Sequence, residues 1–137
     1  MGARVNFAFK TDNDNYVVLY SHWGGERAVE DLSRAIFDAR PRWYDNSYAV
    51  RIAISSIVGT DWASETGYGI YVNTIGDNNY PVYVVDFANQ TVSVHNEIPY
   101  FADNRMEMQH TIQFVEAEPI VKVTFDQFLD NYQLLLV

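Results

Sequence analysis

The chain has 137 residues, nine Lys and Arg against 18 Asp and Glu, a net charge of -9 and no cysteine. That length suits one folded domain with a buried core, while the missing cysteines exclude disulfides, CxxC redox chemistry and cysteine zinc sites. No apolar run approaches the roughly 18 residues of a membrane helix, and no charged-then-apolar leader opens the chain, so a soluble intracellular protein is expected.

In chain order, Arg4 to Lys10 alternates Val5, Phe7 and Phe9 with polar or small neighbours, Thr11 to Asn15 is a polar turn, and Tyr16 to Tyr20 is an apolar run. This pattern predicts a hairpin whose second strand is central in a sheet. Ser21 to Gly25 then leads into an amphipathic helix with Ala28, Val29, Leu32, Ala35, Ile36 and Ala39 on one face, closed by Pro41. Residues 46 to 58 fit both periods, since Tyr48, Val50, Ile52 and Ile54 alternate while Val50, Ile54, Ile57 and Val58 follow a helix. Ser47 as a cap and Gly59 as a terminator favour the helix.

Three strands are predicted next, Tyr68 to Asn73, Val82 to Phe87 and Thr91 to His95, joined by turns at Gly76 to Asn79 and Ala88 to Gln90. Met106 to Phe114 alternates strictly and reads as a further strand, with His110 on its apolar face. Ile120 to Val123 is the last strand, and Thr124 with Gln127 forms a capping box for a helix ending near Tyr132. The apolar Leu134 to Val137 must dock on this domain or on another subunit. The expected architecture is α+β: a single domain over residues 1–137, with a largely antiparallel sheet of about six to seven strands. Two helices follow strand 2, and a short C-terminal helix closes the chain.

Three places draw attention as chemistry. Ser21, His22, Trp23, Gly24 and Gly25 carry a strand through two glycines into a helix start, where free N–H groups and the helix dipole attract anions. Ser21 and His22 do not make a nucleophile–base pair, because neighbours on an extended chain point to opposite faces. Glu65, Thr66, Gly67 and Tyr68, preceded by Ser64, resemble a binding rim with backbone access and short polar groups. Arg51 stands in an apolar segment and needs a partner there, either Glu65 or a ligand anion. The histidines lack metal-binding spacing, so neither a metal nor another cofactor is expected.

The charge is uneven: residues 1–60 hold seven basic and seven acidic side chains, whereas residues 61–137 hold two basic and eleven acidic. Direct nucleic-acid binding is therefore disfavoured, because it needs clustered cations.

The strings VVLYSHWGG, ARPRW, RIAIS and SETGYGI, all within residues 1–72, resemble a family of short proteins encoded by tailed bacteriophages and some bacterial genomes. The resemblance carries over no chemistry. It implies a phage-encoded accessory protein in the host cytoplasm, and it groups Ser21, His22, Trp23, Arg51, Glu65 and Gly67 into one site. The expected activity is binding of a small anionic ligand, a nucleotide or a host defence signal. Arg42 and Arg51 would hold the anion while Trp23 or Tyr68 stacks on a ring. The alternatives are a protein inhibitor or DNA mimic using Asp77, Asp86, Glu97 and Asp103, and a small hydrolase using His22 and Glu65. A homo-oligomer is expected from the apolar C-terminus.

Overall fold

The computed structural model describes residues 2–76, 78, 80–95 and 118–136. The strand expected at Met106 to Phe114, His110 on it, and Asp77 and Asn79 of the predicted turn lie outside the described residues. So do Glu97, Asp103 and Val137.

Strands β1 (Val5–Lys10) and β2 (Tyr16–Ser21) form the hairpin. Helices α1 (Ala28–Asp38) and α2 (Asn46–Val58) follow, then β3 (Tyr68–Val72), β4 (Val82–Asp86), β5 (Thr91–His95), β6 (Val121–Thr124) and α3 (Phe125–Asp130). The six strands form one sheet in the order β3-β2-β1-β4-β5-β6. All neighbours are antiparallel except β1 and β4, where Phe7 pairs with Tyr83 and Phe9 with Val85. The fold is α+β, with the two long helices after strand 2 and the short one at the C-terminus, as the patterning predicts.

The helices lie on the sheet face that carries Val5, Phe7, Phe9, Leu19, Tyr83, Val85, Val92 and Val94, and with it they bury the main core. Residues 46–58 are helical because Ala49, Val50, Ala53, Ile54, Ile57 and Val58 all face that core, and Gly59 ends the helix at φ 65°, where a side chain is strained. The expected Ser47 cap is corrected: the helix starts from Asp45 with no side-chain cap, and the Ser47 hydroxyl instead donates to the Asp45 carboxylate at 3.3 Å. The capping box of α3 is formed, with Thr124 Oγ1 accepting from Gln127 N at 3.1 Å and Gln127 Oε1 from Thr124 N at 2.9 Å. Helix α3 ends at Asp130, two residues before the predicted Tyr132, because Asn131 is extended and starts a 3-10 turn over Tyr132–Leu135. That turn seats Leu135 in the core.

The opposite sheet face is also buried at Ala8, Tyr16, Val18, Val82 and Val84, joined by Ile75 from the β3–β4 connection. His95 lies on this face at 3% exposure, its Nε2 3.1 Å from the Ser93 hydroxyl. Burial, reinforced by Lys122 on β6, holds its imidazole below the ordinary 6.5. The unfolded chain therefore takes up a proton that the folded chain resists, and stability is lost as pH falls from about 6.5 through the lowered folded value. Urea midpoints measured between pH 7.5 and 5 should fall for the wild type, and fall less for His95→Gln. Parallel slopes for the two proteins would contradict this.

Candidate functional site

Antiparallel pairing brings the two predicted segments together. Ser21 at the end of β2 is opposite Tyr68 at the start of β3, and His22 N donates to Gly67 O at 2.9 Å. The chain leaving β2 and the loop approaching β3 thus abut, with the first turns of α1 beside them. Ser21, Trp23, Gly24, Thr66, Gly67 and Tyr68 line one cleft of about 490 Å³. Ser64, which precedes the predicted rim, and Asp61 also line it, together with Arg27 and Asp31, which were not singled out from the sequence. Asp31 belongs to the polar stripe of α1, and only the fold turns it toward the loop.

The cleft is built tightly. The Ser21 hydroxyl accepts from Gly24 N at 3.0 Å, and a Cβ on Gly24 would stand 2.5 Å from that oxygen, so the turn needs glycine. Gly67 has φ 102°, and a Cβ there would meet the Trp23 ring at 3.2 Å. The indole is 59% exposed, yet it is braced by Gly67 and by the His22 ring, edge to face at 4.9 Å.

At the floor, the Tyr68 hydroxyl donates to Ile57 O at 3.4 Å. Burial pushes this phenol above its ordinary 10.0, and the Asp31 and Asp61 carboxylates push the same way, against a hydrogen bond with Ser21 and the Arg34 charge. Tyr68 therefore stays neutral and can donate. Asp31 holds Arg34 Nη1 at 2.9 Å. Arg27, the one cation among the described residues that line the cleft, is exposed and 3.6 Å from Glu30, so solvent screens it. With Asp31 shared with Arg34 and Arg27 with Glu30, Asp61 is the lining carboxylate without a salt bridge among the described residues.

The other predicted residues lie elsewhere. Gly25 N donates to Ala3 O at 2.7 Å, and Gly25 lines a neighbouring cleft with Tyr80 and Pro81. With Gly24 N on Ser21, both backbone donors expected at an anion are engaged within the chain. Ser21 and His22 leave on opposite faces of β2, and His22 Nδ1 lies 2.8 Å from the Tyr20 hydroxyl, outside the cleft lining. Glu65 is exposed and does not line the cleft. Arg42 pairs with Asp45 at 3.7 Å and stacks over Tyr48 at 4.6 Å. Arg51 corrects the expectation of a charge needing a partner. Helical phase turns it out of the core, where it is exposed and 5.9 Å from the Tyr48 ring.

Compared with protein-family models, curated proteins and solved structures, the chain matches none. Among the described residues no three His, Asp or Glu side chains come together to hold a metal ion. Among the same residues no helix is long and apolar enough to cross a membrane.

Proposed function

We propose that this chain is a binding module that takes one small ring-bearing molecule in the cleft between Trp23 and Tyr68. The observation that carries this is the Trp23 indole, more than half exposed yet braced over a polar cleft. A large apolar ring held out in water offers a stacking surface. Asp31 and Asp61 supply acceptors below it, as does the Tyr68 hydroxyl oxygen, whose proton goes to Ile57 O. The best fit is a nucleoside-like ring with exocyclic amines directed at the carboxylates, and among the described lining residues Arg27 is the only cation available to a phosphate.

This reading departs from the anionic ligand expected from the sequence, since the ring and not a charge makes the main contacts. The setting implied by the phage-family resemblance, a protein acting on a metabolite or signal of the host cytoplasm, agrees with such a role.

Titration of nucleosides and their mono- and triphosphates, followed calorimetrically, tests this reading. The nucleoside should bind best, with affinity falling as phosphates are added. Trp23→Ala should weaken it about tenfold to hundredfold, the range of one lost ring stack, and Asp61→Asn should weaken it without unfolding the chain. A panel with no binder, together with a native mass spectrum of the purified protein free of any small molecule, would sink the proposal.

A second reading, a protein inhibitor or DNA mimic, is favoured by the eleven acidic and two basic side chains of residues 61–137. Asp86, one of its expected carboxylates, is occupied in its own turn, accepting from Asn89 N at 3.1 Å and Asn89 Nδ2 at 2.9 Å.

A further inference from the structure

Strand β3 ends the sheet, with β2 on one side and no strand of the described residues on the other. The phase of its hydrogen bonding is set at both ends, by His22 N to Gly67 O and by Asn73 N to Tyr16 O, each 2.9 Å. Residues 67, 69, 71 and 73 therefore turn their backbone groups toward β2. Tyr68, Ile70 and Val72 turn theirs toward solvent.

The same segment is apolar outside, with Ile70 54%, Val72 65% and the nearby Trp62 53% exposed. Edge strands are ordinarily guarded by lysine, proline or a bulge. This one has none of these, and no Lys or Arg occurs anywhere from Ile52 to Asn104.

We propose that β3 pairs with β3 of a second copy, antiparallel about a two-fold axis at Ile70, to make one sheet across a homodimer. In this register Ile70 is opposite the partner's Ile70 and Tyr68 is opposite the partner's Val72. The pairs formed by residues 68, 70 and 72 all use outward backbone groups, so every free donor of the edge meets an acceptor. Ile70 and Val72 join side by side on the helix face. On the other face Tyr71 comes opposite the partner's Gly69, which has no side chain to obstruct the ring.

The charges agree with this orientation. Asp61 and Glu65 precede β3, while Arg51 lines a groove with Ile70 and Val17, the residue opposite Val72, at the far end of the strand. Asp12 shares that groove. The two-fold lays the Asp61 and Glu65 end of one copy along the Arg51 end of the other. The C-terminal apolar segment is a poorer contact, because among its described residues Leu135 is buried within the protomer and only Leu134 and Leu136 reach the surface.

Sedimentation equilibrium should give twice the 15.8 kDa protomer mass. Ile70→Pro removes an N–H that β2 does not use, at an edge position where proline is tolerated, and should weaken the dimer about a hundredfold. Val72→Lys, which cannot disturb the core, should also give monomers, and Leu136→Ser should leave the dimer intact. In hydrogen exchange the amides of Tyr68, Ile70 and Val72 should be protected in the dimer and exchange rapidly after dilution. A wild-type monomer at the highest soluble concentration overturns the proposal, as does a dimer that survives both edge substitutions.

Discussion

Phe125→Ala should lower the stability of the fold by about 3–5 kcal/mol, the range for an aromatic ring removed from a packed core. Phe125 is fully buried, and its ring lies 4.8 Å from Trp43 and 5.4 Å from Phe87, which in turn stacks on Phe9 at 6.4 Å. These four rings tie the turn after α1, the centre of the sheet and the start of α3 into one cluster, so a hole there cannot be filled by one neighbour moving. The Phe125 amide also bonds Gln90 O at 2.8 Å, which holds the backbone in place while the ring is deleted. Urea unfolding should show the loss, and the melting temperature should drop by roughly 10 °C or more. Leu136→Ala, at a residue 61% exposed, should be nearly neutral. Equal midpoints for Phe125→Ala and the wild type would mean that the cluster does not support the fold.

The second large effect belongs to a polar residue. Asn6 is fully buried on the face of β1 away from the helices, and its side chain clamps the connection that crosses from β3 to β4. Its Oδ1 accepts from Gly76 N at 3.0 Å, and its Nδ2 donates to Gly76 O at 3.4 Å and to Asn78 Oδ1 at 3.0 Å. Asn78 Nδ2 in turn donates to Tyr80 O. Gly76 is pressed between Tyr20 and Tyr71, where a Cβ would stand 2.8 and 2.9 Å from the rings, so the loop has little freedom to find other partners. Asn6→Ala leaves buried donors and acceptors unmatched at about 1–3 kcal/mol each, and a total of roughly 3 kcal/mol is expected. Asn6→Asp should be at least as harmful, since a carboxylate cannot donate to Gly76 O or Asn78 Oδ1. Faster amide exchange at residues 74–76 in Asn6→Ala would show that the loop is released, and unaltered exchange there would refute the clamp.

Local patterning made most of the fold legible. The period of Ala28 to Ala39, the alternation of the first hairpin and the Thr124 capping box each depend on residues close in sequence, and each appears where expected. That the Ser21 and Gly67 segments share one site was expected from the phage-family resemblance, and β2–β3 pairing supplies the physical cause of their meeting. Arg51 was misread because Val50 and Ile52 flank it, and an apolar neighbourhood in sequence is not one in space once a helix turns about 100° per residue. Asp31 and Asn6 were missed for the same reason in reverse. Each looks like an ordinary polar residue until a distant segment is laid against it, and one-dimensional spacing holds no record of that.

The parallel ladder between β1 and β4 has a consequence for the chain as it is being made. Phe7 waits for Tyr83 and Phe9 for Val85, so β1 stays open on that side after its own hairpin has closed. At about 5–20 residues per second of ribosomal synthesis, that interval is several seconds. During it Val5, Phe7 and Phe9 present an uncovered apolar strand edge in the midst of other nascent chains. The vulnerable moment of this protein is therefore the delay before β4 emerges, and chaperone dependence should track the speed of translation through residues 10–85.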